Sequence, residues 1–370
     1  MPGSYLKALS LGLAVSACLL AVPTFAAPIT IDMVTVGNPG NANDTGGTNN
    51  GAVNYEYQIG TYSVTIGQYT AFLNAVDPTG TNPNDIYNAS MGTDLIIAGI
   101  SYTSGASAGA KYAVINNGGD SSNRPITYVS WFDAARFSNW MTNGQGAGST
   151  ETGAYTLGGA TTGPAVAVNP GAGFYIPTND EWYKAAYFSP NYGGVGVPGY
   201  YDYATQSDTP SAPGNIIGSG TNQANYFTGA GFSVTQSGDY DPNQNYLTDV
   251  GAFSGSESFY GTFDQNGNVY QWNDLDGLAS SGSSRGQRGG DWVTTDSFDL
   301  SSSNNYSGGP SFENNQLGFR LASPVAVPEP STWVMAAGGL ACAGWGAWRR
   351  HVRRSRLPLR MLTSRSEGAR

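Results

Sequence analysis

Three segments of the chain carry apolar residues at helical spacing, and each is announced by the same local device. In "TIGQYTAFLNAV", Thr65 and Gln68 stand at the spacing of a capping box, in which two side chains satisfy backbone N–H groups at a helix start. Tyr69, Phe72, Leu73 and Val76 then fall at i, i+3, i+4 and i+7, one face of a helix. Ser130 and Asp133 open "SWFDAARFSNWM" in the same way, with Trp131, Ala134, Ala135 and Trp140 placed to pack inward. Thr178 and Glu181, just after Pro177, open "TNDEWYKAAYF", with Trp182, Ala185 and Ala186 on one side. The capping role accounts fully for Glu181, which would otherwise read as a candidate catalytic acid.

Outside these segments the pattern changes. "ITIDMVTV" near the start, and "ANYF", "YLTDVGAF", "GNVYQW" and "GFRLA" after Phe188, read as brief strands separated by Gly, Asn, Asp and Ser clusters. Residues 142–173 are low in complexity and read as an exposed insertion. No repeat of fixed period and no internal linker appears, so the expectation is a single α+β domain over 28–323, with about three helices and much ordered coil.

Composition sharpens this. With 52 Gly in 370 residues and 11% charged residues the chain is rich in loops, yet 8 Trp, 23 Tyr and 14 Phe supply a core that a disordered chain lacks. Between Pro28 and Ala326 seven basic residues face 24 acidic ones, a net charge of −17. That balance excludes nucleic acid as a partner, because nothing would replace the phosphate counterions. The cysteines, Cys18 and Cys342, lie in the apolar end segments, and the single histidine is His351. The domain therefore lacks a disulfide, a thiolate or histidine metal site and a Ser-His or Cys-His pair. Arg288 and Arg320, rare bases in an acidic domain, are expected to fix loops by pairing with buried acids. Asp274 and Asp276 share one loop and are a weak glycosidase-like signal.

The two ends have their own patterns. Residues 1–27 hold one Lys, an apolar run from about Ala8 to Val22 and the small pair Ala26-Ala27, the layout of a secretory signal peptide. Residues 332–348 are uncharged and bracketed by Trp333 and Trp348, and Arg349, Arg350, Arg353, Arg354 and Arg356 follow. This predicts a transmembrane helix with its basic tail (349–370) in the cytoplasm and the domain outside. With Val327-Pro328-Glu329-Pro330 before it, the 327–356 segment resembles the PEP-CTERM sorting signal. That resemblance implies a Gram-negative-type bacterium, an exosortase as partner, transient membrane anchoring, and release or retention at the cell envelope, often among exopolysaccharide.

The central segments, in order, resemble the formylglycine-generating enzyme or sulfatase-modifying factor family, with its C-type-lectin-like variant fold. The segments are "GTYSVTIGQYTAFLNA", "NRPITYVSWFDAARFSNWM", "YIPTNDEWYKAAYF", "GTFDQNGNVYQWNDL", and "QRGGDW" with "LGFRLA". The resemblance implies a copper oxidase with two catalytic cysteines after Arg-Gly-Gly. Those positions fall here on Thr294 and Asp299, neither of which offers Cu(I) a soft ligand. It also implies calcium sites, one drawn from Asp264, Gly267, Val269 and Gln271, and another from Asn225, Tyr226 and Asp241; hard oxygen donors suit that ion. The expectation is a catalytically degenerate, calcium-stabilised binding scaffold for a glycan, peptide or surface partner. Two alternatives stay open: a metal-dependent oxidoreductase using Thr294, Asp299, Asp291 or Asp296, and a purely structural matrix component.

Overall fold

All three capping boxes form. The backbone N–H groups of Gln68, Asp133 and Glu181 donate to Thr65, Ser130 and Thr178, and each of those partners donates its own N–H back. A computed structural model describes residues 28–164, 166–215, 220–275 and 284–325. The expected signal peptide at 1–27 and the expected sorting segment and tail beyond 326 lie outside the described residues.

In chain order the elements are β1 Met33–Val36, β2 Tyr57–Gly60, α1 Ile66–Val76, α2 Ser90–Thr93, β3 Ile100–Tyr102, β4 Tyr112–Val114, α3 Trp131–Thr142, α4 Asn179–Tyr187, β5 Phe188–Ser189, β6 Gly199–Tyr200, β7 Ala212–Pro213, β8 Gln223–Ala224, β9 Tyr270–Asn273, β10 Arg285–Arg288, β11 Tyr306–Gly308, β12 Leu317–Phe319 and β13 Ala322–Pro324. The strands form a three-stranded sheet ordered β1-β2-β13, a four-stranded sheet ordered β11-β10-β9-β12, and three two-stranded ribbons. In the four-stranded sheet only β12 runs parallel to its neighbour, with Phe319 opposite Trp272, so that Arg320 follows directly on the strand beside β9. The architecture is mixed α+β, with few helices and short strands.

The core is aromatic. Tyr69 and Phe72 of α1 meet Phe137 and Trp140 of α3 with ring centroids 5.4 to 6.0 Å apart. Such pairs add about 0.5–1.5 kcal/mol each beyond the area they bury. Helix α3 goes further than an amphipathic pattern implies, since every residue from Trp131 to Met141 is buried. Its polar side chains must then find partners. Arg136 Nε donates to Glu151 Oε1 at 2.8 Å, and Asn139 exchanges bonds with the main chain of Thr150 and Tyr155.

Those partners correct one expectation. Residues 142–173 are not simply an exposed insertion, because Ala154, Tyr155, Leu157 and Ala172 are buried and the segment is drawn onto α3 by the needs of Arg136 and Asn139. Two strand expectations also change. "YLTDVGAF" is coil with one turn at Val250-Gly251, and "ANYF" contributes only the end of β8. Here the main chain bonds partly to side chains, Tyr226 N to Ser233 Oγ and Thr248 N to Asn268 Oδ1, and partly to scattered carbonyls such as those of Thr294 and Ile96, so no continuous ladder forms.

Burial pushes the Asp133 carboxyl up to about 7, with the charge of Glu313 adding to the shift and the Ser130 hydrogen bonds and Arg136 opposing it. The folded chain thus holds this proton to higher pH than the unfolded chain, and stability falls as pH rises from about 4 to about 7. Asp77 and Glu151, whose values are lowered, act in the opposite sense but below that window. We expect urea denaturation to find the protein more stable at about pH 5 than at about pH 8, with roughly 3 kcal/mol due to this group. Asp133→Asn, which keeps the cap, should remove that part of the slope.

Candidate functional site

Three stretches of coil meet beside the four-stranded sheet and are knitted by their backbones. Gly267 N donates to Gly289 O at 2.6 Å, Asn268 N to Asn225 O at 2.8 Å, Trp292 N to Asn268 O at 3.1 Å and Phe227 N to Thr294 O at 3.0 Å. The approach is close enough that a Cβ on Gly267 would stand 2.3 Å from the Asn225 carbonyl oxygen, and its φ of +76° also demands glycine. Asn268 closes the joint: its side chain takes hydrogen bonds from Asn225 and the Thr248 N–H and donates to the Thr248 carbonyl. Trp292 fills the space behind, its ring stacked on Tyr246 at 5.1 Å and its indole N–H on the Asn315 carbonyl.

Thr294 is held inside this frame. Asp291 Oδ1 accepts from the N–H of Val293, the N–H of Thr294 and the Thr294 hydroxyl at 2.9, 2.7 and 3.1 Å. Burial raises the Asp291 carboxyl to about 6 against those hydrogen bonds. Asp299 lies in a short 3-10 turn, Ser297–Leu300, whose Asp296 caps the N–H of Phe298. Its carboxylate accepts from Asn304 Nδ2 at 2.9 Å. Partial burial raises its pKa, the charge of Asp296 adds, and hydrogen bonding from Tyr306, Asn304 and Tyr270 opposes. Arg288 anchors the returning loop through the Asn179 side chain, the Asn304 carbonyl, Thr48 and Asn50, with its guanidinium 4.9 Å from the Tyr183 ring centre.

The 298–312 stretch that carries Asp299 also exposes three large rings. Phe298, Phe312 and Tyr306 are 53%, 51% and 48% exposed, and Tyr306 packs edge-on against Tyr270. A recess of about 140 Å³ opens at Tyr306, lined by Tyr270, Gln287, Tyr306, Asn314, Gln316 and Leu317. A wider cleft of about 740 Å³ lies elsewhere, between the 38–46 loop and the β5–β6 ribbon, with Tyr192, Tyr200, Asp44 and Asp202 on its walls.

A family model described as the sulfatase-modifying factor enzyme 1-like domain matches residues 32–325. The chain belongs to that family. A second model, the PEP-CTERM protein-sorting motif, matches residues 326–351; it indicates export with envelope association and implies recognition by exosortase sorting machinery. Among solved structures, CarF is 21% identical with a TM-score of 0.45, the match covering 80% of this chain and 99% of that one. Treponema denticola variable protein 1 is 17% identical, TM-score 0.45, with coverages of 80% and 96%. PvdO from Pseudomonas aeruginosa is 18% identical, TM-score 0.41, with coverages of 79% and 94%. No curated protein matches this chain. Among the described residues no helix is long and apolar enough to cross a membrane.

Laid on this sulfatase-modifying-factor frame, the positions expected for the two cysteines, Thr294 and Asp299, occupy neighbouring loops but are each engaged in local hydrogen bonds. Asp291, Asp296 and Asp299 all fall in this region, and no group of three His, Cys, Asp or Glu residues able to hold a metal ion occurs among the described residues. Of the residues expected around calcium, Asp264 accepts from the Gly251 N–H at 2.6 Å and the Gly267 carbonyl from the Val269 N–H at 2.9 Å. Gln271 turns its amide nitrogen, not an oxygen, toward the Asp264 carbonyl at 2.7 Å. In the other expected set, the Tyr226 carbonyl accepts from Ser233, and the exposed Asp241 carboxylate caps its own turn at Asn243. Asp241 meets the hydroxyl end of Tyr246 while Asn225 meets its carbonyl, so a tyrosine's length lies between them. Neither set fits a calcium ion in this arrangement.

Arg288 and Arg320 do fix loops; the hydrogen bonds of Arg320 go to an amide and to backbone carbonyls, whereas an acid was expected. Asp274 is tied by its backbone to the start of α4, and Asp276 lies outside the described residues. The aromatic rim of Phe298, Tyr306 and Phe312 escapes sequence reasoning, since an exposed ring and a core ring look alike in a chain this rich in aromatics; the run of polar residues around each is the one signal available. The Asp291 knot should matter far more to stability than Asp299. We expect Asp291→Ala to cost about 2–3 kcal/mol in urea denaturation, leaving buried donors unmet. Asp299→Ala, half open to water, should cost less than about 1 kcal/mol.

Proposed function

We propose that this chain is an exported cell-envelope protein whose sulfatase-modifying-factor domain binds a ligand and does not oxidise one, and that the ligand is a saccharide held at the recess beside Tyr306. The observation that carries this reading is the content of the frame. Where the family's thiol chemistry would sit, Thr294 is bonded to Asp291 and Asp299 to Asn304, and neither presents a soft donor to copper. What the frame presents instead is exposed ring surface beside the amides of Gln287, Asn314 and Gln316. Aromatic faces take the C–H face of a sugar ring, and amides pair with its hydroxyls as donor and acceptor at once. The sorting motif supports placement among envelope material.

The test is a screen of the mature protein against neutral glycans and envelope polysaccharide, with a copper-loaded assay on thiol peptides alongside. We expect saccharide binding that Tyr306→Ala weakens at least tenfold (about 1.4 kcal/mol) while Tyr192→Ala, in the larger cleft, leaves it unchanged. The reverse pattern would move the site to that cleft. Near-stoichiometric copper with thiol consumption would replace this reading with the oxidoreductase one, and self-association with no binder would favour a structural component.

A further inference from the structure

The loop of residues 264–269 and the first residues of β9 form a tight, oxygen-rich turn of the kind that usually wraps a divalent cation. Its chemistry here is decided by Gln271, which is completely buried. Two groups that can only donate, the Trp182 indole N–H at 2.8 Å and the Arg320 Nε–H at 2.5 Å, both point at one atom of the amide. That atom must therefore be the oxygen. The amide nitrogen is left facing the Asp264 carbonyl at 2.7 Å, and an NH₂ group cannot ligate a cation. Arg320, also completely buried, sends its remaining N–H groups to the carbonyls of Gly60 and Phe263 at 2.8 and 2.7 Å. Between them Arg320 and Gln271 gather oxygens from the end of β2, from the loop entry and from the loop itself.

We propose that this pair takes the place of a calcium ion, so that the loop is closed by an internal, metal-free link running from Arg320 and Trp182 through the Gln271 amide to Asp264. One atom separates the two designs. With glutamate at 271, one oxygen would stay on Trp182 and Arg320, and the other would replace the nitrogen and face the Asp264 loop as an anionic donor. The inference is independent of what binds at the recess beside Tyr306.

The experiment follows thermal melting and bound metal of the mature protein in excess calcium and in excess chelator. Wild type is expected to contain no stoichiometric calcium by mass spectrometry and to melt at the same temperature in both media. Gln271→Glu is expected to melt lower than wild type in chelator and to recover by several degrees in calcium, as a ligand that binds only the folded state requires. Gln271→Met, close in volume and unable to bridge, is expected to lose the same stability in both media. One calcium per wild-type chain, or a fall in its melting temperature on chelation, would overturn the proposal. So would a folded Gln271→Glu protein indifferent to calcium, or a Gln271→Met loss seen only when calcium is present.

Discussion

A buried guanidinium that makes no direct ion pair among the described residues, with the Asp264 charge its electrostatic support, sets the terms for the middle of this molecule. Arg320 is wholly removed from water, and its N–H groups end on one amide oxygen and on backbone carbonyls. A charge in that position is tolerable only if every donor is met, because an unsatisfied one costs several times what a hydrogen bond returns. Meeting them requires β12 to deliver Arg320 beside β9, β2 to offer Gly60, and the 263–271 segment to fold back on itself. The parallel β9–β12 register and the tight loop are thus two aspects of one requirement.

The same logic explains how the loops carrying Thr294 and Asp299 are held in place without those two side chains. The loops carrying Thr294 and Asp299 are positioned by bonds that belong to the backbone or to other residues: Gly267 to Gly289, Asn268 to Asn225, Trp292 to Asn315, Arg288 to Asn304. None passes through the side chains at 294 or 299. The side chains at those two positions are left to make local bonds, Thr294 with Asp291 and Asp299 with Asn304.

What could be read from the sequence follows the range of the interactions. Each helix start is written within four residues, so Thr65, Ser130 and Thr178 announce theirs directly. The Arg-Gly-Gly-Asp-Trp run likewise marks the site, because its glycines and tryptophan serve the frame. The orientation of Gln271 is beyond such reading, since it is imposed by Trp182 and Arg320, 89 and 49 residues away. The fate of residues 142–173 is similar: nothing in their composition says that Arg136 and Asn139 are buried and will claim Glu151, Thr150 and Tyr155. Coil in this protein is ordered by distant side chains, and a distant side chain leaves no local period.

That mode of ordering has a consequence for a protein sent outside the cell. Long coil is commonly pinned by disulfides or by bound cations. Here the region from 28 to 326 contains no cysteine. Besides a few charged anchors such as Arg136 and Arg320, its loops are held by neutral amides and hydroxyls: Asn225 to Asn268, Asn222 to Ser207, Ser233 to Ala224, Asn266 to Ser211. Such links carry no charge for salt to screen and no thiol for an oxidant to attack. Each is worth only about 1 kcal/mol when made, yet several are buried, and a buried amide left without partners costs more than that. Loss of one therefore penalises the rest of its loop, which gives a chain with little regular secondary structure a cooperative fold through many small, uncharged constraints.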